Sequence, residues 1–265
     1  MTNEAVVTES DDAAALLFSL ARAEVVVDAL PPALEPYAAA APDDGLALQT
    51  KVIERWRALG QDIGGWKVAW TSRAMRDSGG KDFRPFGYIL ASRMFPTGST
   101  VSREGIYRGQ VESEICLTIG SRLSGEHVTR DEAFAAVESV SPAFEINARR
   151  LANTMPLACR IGNGLNNWGL VVGPAGTPPD SLDGIVVEQF RDGEPAGAGR
   201  TGEDILDDPY LSLARVVTQL SRHGFAIEPG QRIITGSILP GMATDGVGHF
   251  EASFGDLGSV AVDLV

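Results

Sequence analysis

The sequence predicts an α+β fold, and three observations carry it. Apolar residues recur at helical spacing in the first sixty residues, two-residue alternation dominates the later text, and strands and helices do not alternate as a doubly wound sheet would require. Asp12 to Val27 (D-A-A-A-L-L-F-S-L-A-R-A-E-V-V-V) reads as the first helix and Gly45 to Leu59 as the second, joined by a Pro/Ala-rich connector from Leu30 to Pro42. Gly65 to Trp70 and Arg108 to Ile119 follow as strands. Thr129 with Glu132 forms a capping box that opens a helix over Arg130 to Ser139. Short strands are expected at Ala143–Ile146, Trp168–Val172 and Ile185–Arg191. Asp208-Pro209 starts a helix that ends at His223 before Gly224. Three more strands, Arg232–Thr235, His249–Phe254 and Ser259–Leu264, close the chain, the last two joined by the turn Gly255-Asp256-Leu257-Gly258. No internal repeat is present.

Composition narrows the function classes. With 265 residues, 44% of them hydrophobic, the chain buries a sizeable core, read as a helical region over 1–63 packed on a β-rich core over 64–265. A net charge of −13 argues against nucleic acid and against anionic membrane as partners, since both require a basic footprint. The acidic N-terminal residues lack the basic and apolar regions of a secretory signal, and no apolar run reaches membrane-spanning length, so cytoplasmic localisation is expected. Cys116 and Cys159 form no C-x-x-C pair and read as buried thiols in a reducing compartment.

The chemistry concentrates in Q-V-E-S-E-I-C-L-T-I, residues 110–119. Strand alternation puts Val111, Ser113, Ile115, Leu117 and Ile119 on one face and Glu112, Glu114, Cys116 and Thr118 on the other. Two carboxylates held side by side repel, and a divalent cation is the simplest relief. Glu145, embedded in the apolar run S-P-A-F-E-I, offers a third carboxylate, and an all-oxygen set suits Mg²⁺ or Mn²⁺ better than a soft metal. Taken alone, E-x-E fits the solvated face of an antiparallel strand better than a metal site. Lys67, in G-G-W-K-V-A-W-T-S, sits between aromatic and β-branched neighbours, with Trp66, Val68 and Trp70 expected on the core face. Such a lysine either snorkels to water or pairs with an anion.

Other conspicuous residues receive plain structural readings. His127, His223 and His249 are scattered, and His223 beside Gly224 suits a helix C-terminus better than a ligand set. Arg149-Arg150 follow the third glutamate and offer a contact to a substrate's far end, although strand-end arginines are commonly solvated. Gly162 to Gly169 lacks the P-loop and dinucleotide fingerprints.

Taken in order, G-W-K-V-A-W-T-S, Q-V-E-S-E-I, P-A-F-E-I, I-G-N-G-L-N-N-W-G, I-I-T-G-S and F-G-D-L-G-S-V-A-V resemble the fumarylacetoacetate hydrolase superfamily, in particular its 2-keto-4-pentenoate hydratase and 4-oxalocrotonate decarboxylase branch. The resemblance runs from about Gly64 to the C-terminus and reverses the reading of E-x-E. It implies a mixed β-sheet roll of the fumarylacetoacetate hydrolase C-terminal type with an N-terminal helical region. It also implies one Mg²⁺ or Mn²⁺ on Glu112, Glu114 and Glu145, with Lys67 as the active-site lysine. The implied substrate is a small anionic 2-oxo acid or its enol. Ser72, Thr235 and Ser237 are then its carboxylate contacts, Asn163 stands at a catalytic position, and a homo-oligomer is expected.

The chain departs from the branch at two places. Pro85-Phe86-Gly87 stands where hydratases carry a D-Y-G pattern, and Gly162-Asn163-Gly164 replaces an A-D-N-like segment. An asparagine orients water or substrate but is no general base at neutral pH. These departures weaken the transfer of the chemical step; the activity the resemblance implies is hydration of a 2-hydroxypenta-2,4-dienoate-like substrate, with decarboxylation of a 4-oxalocrotonate-like diacid as the runner-up. Hydrolytic C–C cleavage of a dioxo acid and a noncatalytic partner subunit are the remaining alternatives.

Overall fold

The computed structural model describes residues 3–23 and 25–265, with side chains described from Asp11 to Arg22 and from Val25 onward. The N-terminal third holds α1 (Asn3–Ala23), α2 (Pro42–Ala58), β1 (Ile63–Val68), α3 (Arg73–Gly79) and β2 (Phe86–Leu90). Next come β3 (Met94–Pro96), β4 (Ser99–Val101), β5 (Gln110–Ile119), α4 (Arg130–Ala136), β6 (Val137–Asn147), α5 (Leu157–Gly162) and β7 (Asn167–Val172). The chain finishes with β8 (Val186–Arg191), β9 (Glu194–Arg200), α6 (Pro209–Arg222), β10 (Arg232–Ile234), β11 (Met242–Ala243), β12 (Gly248–Ser253) and β13 (Ser259–Leu264).

Local chemistry explains the ends that match expectation. Thr129 Oγ1 accepts from the Glu132 amide at 3.2 Å while Glu132 Oε2 accepts from the Thr129 amide at 2.8 Å, closing the capping box of α4. Asp208 Oδ1 caps α6 by accepting from the Tyr210 and Leu211 amides, and Gly224 ends it at φ +80°. The terminal hairpin pairs Ser253 with Ser259 across the Gly255–Gly258 turn.

Other boundaries move. The first helix ends at Ala23, and the β-branched run after it leaves the helix: Val27 bridges Leu151 in parallel; Glu24 lies outside the described residues. α2 begins at Pro42, whose fixed φ and missing N–H suit a first helical turn, with Asp43 and Asp44 behind it. The expected helix over 130–139 stops at Ala136, because Val137 to Asn147 continues directly as an eleven-residue strand paired along β5. Trp70 leaves the alternation of β1: its φ is +62°, the strand ends at Val68, and the ring packs on Phe83 with centroids 5.5 Å apart. Short edge strands such as β3, β4 and β9, and the short α3 and α5, carry too little periodicity to be read from sequence.

The strands build two sheets. The larger runs in the order β2-β1-β10-β5-β6-β7-β3, with β11 also on β5, and the smaller in the order β4-β13-β12-β8-β9. Pairing is mixed, with β1–β10 and β3–β7 parallel and β5–β6 antiparallel. One face of the larger sheet, carrying Trp66, Phe86 and Phe144, packs against helices and the second sheet; Gln189 on β8 donates to Ser113 Oγ across that contact at 2.8 Å. The opposite face carries Lys67, Ile234, Cys116, Glu114, Glu112 and Glu145, since register pairs Lys67 with Ile234, Ile234 with Cys116, and Glu112 with Glu145. On a flat sheet β1 and β6 would stand three strand spacings, roughly 14 Å, apart. Lys67 Nζ nevertheless lies 2.7 Å from the Glu145 carboxylate, so the sheet curls this face in on itself. Gly87 permits the closure: a Cβ there would stand 2.6 Å from the Gly164 carbonyl and 2.7 Å from Lys67 Cγ.

Candidate metal centre

Inside the curl, one oxygen each from Glu112, Glu114 and Glu145 lie within 4.8 Å of one another. Glu145 is fully buried, Glu114 is 1% exposed and Glu112 is half-buried. The solvated-face reading of E-x-E therefore fails for this chain. Burial and the Glu145 charge push the Glu114 carboxyl well above its ordinary range, and the same two causes raise Glu112. Burial opposes the Lys67 ammonium, yet Glu145, Glu112 and Glu114 together hold its pKa above the ordinary lysine value, so it is charged at neutral pH.

Each carboxylate is oriented by a neighbouring donor. The Asn147 side chain hydrogen-bonds Glu112, the Gly236 amide donates to Glu114 Oε2 at 2.6 Å, and Asn167 Nδ2 donates to Glu145 Oε1 at 2.8 Å. These donors fix the ligand-bearing oxygens as outer partners do in metal sites. Three carboxylates face one hydrogen-bonded ammonium, and an all-oxygen set with this charge fits a hard divalent cation. Lys67 also donates to the Leu165 carbonyl at 3.1 Å. Gly164, Leu165 and Asn166 are three consecutive residues with φ of +73°, +54° and +67°. For a leucine this conformation costs of order 1–3 kcal/mol, and it is what aims the Leu165 carbonyl at Lys67.

A cavity of about 180 Å³ leads to this cluster. Its walls include Lys67, Glu112, Asn147, Asn166, Gln110 and Arg149. Asn163, expected at the reacting centre, is not among the lining residues. Its Oδ1 accepts from Arg150 Nε at 3.3 Å, and its carbonyl accepts from Arg150 Nη2 at 3.2 Å. The structure gives it the task of holding Arg150, which also donates to the Asn167 carbonyl at 2.9 Å beside the site. Asn166 and Asn167, in the same motif, approach the cluster instead; a pair of asparagines after glycine signals a left-handed turn, and that signal was available in the sequence.

The T-G-S and T-S segments meet next to Glu114, because Gly236 packs on Thr71 Oγ1 with no room for a Cβ. Thr235 Oγ1 donates to the Ile115 carbonyl at 3.2 Å and Ser237 Oγ to the Leu239 carbonyl at 2.6 Å. Ser72, at the N-cap of α3, makes no cap hydrogen bond. No histidine lines the cavity among the described residues: His223 pairs with Asp43 and His249 with Asp263. Cys116, on the cluster's own face, is fully buried and its thiol is pushed up to about 12 by that burial.

Comparison with known proteins places this geometry in context. The chain is 28% identical over 225 residues to a 2-keto-4-pentenoate hydratase of Paraburkholderia xenovorans (strain LB400), covering 84% of this chain and 83% of that protein. It is 30% identical over 180 residues to a 4-oxalocrotonate decarboxylase of a Pseudomonas species, covering 68% and 70%. The solved 4-oxalocrotonate decarboxylase of Pseudomonas putida G7, complexed with magnesium and adipate, superimposes with a TM-score of 0.87 at 20% identity over 100% of this chain and 99% of the other. Residues 61–264 match the family model described as fumarylacetoacetate (FAA) hydrolase C-terminal, and the chain belongs to that family.

Proposed function

We propose that the chain is a lyase acting on a small unsaturated 2-oxo acid with a divalent cation, Mg²⁺ or Mn²⁺, held by Glu112, Glu114 and Glu145. The observation that carries this reading is the trio of converging carboxylates, two buried and one half-buried, each oriented by its own donor, at the end of a cavity that also holds Lys67. The cation, when bound, supplies electrophilic stabilisation of negative charge on the 2-oxygen of the substrate. Lys67, charged and anchored by Glu145 and the Leu165 carbonyl, pairs with the substrate anion and holds a proton at Nζ for transfer. Ser72, Thr235 and Ser237 are read as the contacts of the substrate carboxylate, a reading supported by the Gly236 amide between Thr235 and Ser237, which donates to Glu114. Ser72 is the hydroxyl best able to donate to the substrate, because the other two already donate to backbone carbonyls.

The reaction favoured is hydration: a 2-hydroxy-2,4-dienoate gives up its 2-hydroxyl proton as it takes a proton at its far carbon, and water adds across the C3–C4 double bond of the resulting 2-oxo-3-enoate, hydroxyl to C4 and proton to C3. Hydratases among the relatives support this order. Decarboxylation is the second reading, supported by the 4-oxalocrotonate decarboxylase among the relatives. The test is to supply 2-hydroxydienoates and oxalocrotonate-like diacids with Mg²⁺ or Mn²⁺ and to identify products by mass. Gain of water is expected; loss of CO₂ supports the second reading, and no reaction with either ion overturns both.

A further inference from the structure

The reading here rests on the 2-oxo acid chemistry proposed above and extends it to the far end of the substrate. Along the inward face of β5, Glu114, Glu112 and Gln110 follow at two-residue steps, each about 7 Å, from the buried cluster outward. At the third step stands Arg149, whose Nη2 lies 3.5 Å from Gln110 Oε1 and whose backbone is pinned by the Tyr107 carbonyl at 2.9 Å. Three cationic side chains line this cavity. Lys67 is held by Glu145, and Arg108 is held bidentately by Asp28 at 2.5 and 3.0 Å. Arg149 makes no salt bridge among the described residues, although its charge reaches Glu112 across the cavity, and its buried Nε has no hydrogen-bond partner. A half-buried guanidinium left in this state lacks the anion its geometry suits.

We infer that Arg149 is a specificity-determining residue that binds a second carboxylate, so that the substrate is a dicarboxylic 2-oxo acid. The lengths agree. With its oxo-acid end at the cluster, an extended six-carbon diacid sets its other carboxyl carbon roughly 6 Å away, about one strand step further out. A guanidinium presents two parallel donors to a carboxylate, which a methyl-ended chain cannot use, and that mismatch would leave the guanidinium desolvated and unpaired.

The experiment is calorimetric binding in Mg²⁺ of two saturated, unreactive ligands of equal chain length, a 2-oxo dicarboxylate and a 2-oxo monocarboxylate. The diacid is expected to bind the wild-type protein about 10- to 100-fold more tightly, from the strength of a charge-assisted pair. In Arg149→Leu that ratio is expected to collapse to within about threefold of unity, and Arg149→Lys to retain part of it. Melting curves establish that both variants fold. Equal binding of the two ligands by the wild type, an unchanged ratio in Arg149→Leu, or binding of neither ligand overturns the inference. A diacid preference that depends on Arg149 in a protein that transforms no dienoate leaves the inference standing and overturns only the lyase reading.

Discussion

At the scale of single residues, the site is a problem in charge, and its variants follow from that. Glu112 and Glu114 hold their protons to higher pH in the folded chain than their ordinary 4.5 would allow. The folded state therefore binds more protons than the unfolded state above that value, and the metal-free protein loses stability as pH rises through the raised values. Glu114→Gln keeps an oxygen for the Gly236 amide and removes one repelling charge. It is expected to flatten that pH dependence in a metal-free denaturation series and to abolish stabilisation by Mg²⁺, which for the wild type amounts to about 2.7 kcal/mol at a hundredfold excess over Kd. Lys67→Met removes the only ammonium hydrogen-bonded to the cluster among the described residues. A loss of about 3 kcal/mol in EDTA, partly restored by Mg²⁺, is expected from urea midpoints, because one partner of a buried pair has been deleted. Alternation puts Glu112 and Glu114 on one face, but read alone they stand as a solvated face and Lys67 as either snorkelling or paired; only the resemblance of the ordered motifs makes the three glutamates and Lys67 legible as a set. Asn147, Asn167 and the Gly236 amide were not legible, because a polar side chain or amide acquires its task only from a neighbour far along the chain.

At the scale of elements, the loop from Thr71 to Pro85 and the start of α6 are tied together by one carboxylate. Asp207 accepts from Arg76 Nη1 at 2.7 Å, Arg84 Nη2 at 2.7 Å and Arg215 Nη1 at 2.6 Å, with Ser212 Oγ donating at 3.1 Å. Burial alone would raise the Asp207 carboxyl, but the hydrogen bond and charge of Arg84, with Arg215 and Arg76, hold it below its ordinary 3.8. Its stabilising contribution is thus fully present above pH 3.8 and fades as pH falls through the lower folded value. Asp207→Asn leaves three guanidinium groups clustered around a neutral amide, and a cost of about 3–5 kcal/mol is expected at pH 7. Chemical denaturation at pH 7 and at pH 3 checks this, with the difference from wild type shrinking in acid. Helices with caps written locally, α4 and α6, were legible to within a turn. The first half of strand β6 was not, because Val137 to Ser139 reads as the tail of a capped helix until β5 is available to pair with it, whereas Ala143–Ile146 reads as a strand.

At the scale of the whole molecule, the N-terminal helices and the β-rich core share one interior, which supports their folding as a unit. Gln49 on α2, fully buried, donates to the Phe86 carbonyl at 2.8 Å and the Ile161 carbonyl at 2.7 Å, and Trp56 Nε1 donates to Tyr88 Oη at 3.0 Å. Gln49→Leu strips donors from two buried carbonyls and is expected to cost about 2–3 kcal/mol. Tryptophan fluorescence and far-UV circular dichroism are expected to report the loss in one shared transition; a separate early transition of the helical part would argue for two independent units. No helix among the described residues is long and apolar enough to cross a membrane. The sequence by itself determined the α+β class, the capped helices, the pleat that puts Glu112 and Glu114 on one face, and the ordered motifs of the family, because each is written in residues near one another or in a local period. Only the tertiary structure decided that this face is an interior, that Lys67 reaches Glu145 across the two strands between them, and that Asn163 serves Arg150 while Arg149 faces the cavity. Those outcomes depend on how far a twisted sheet curls and which backbones close upon it at Gly87 and Gly164, and such curvature is set by the sum of long-range packing contacts.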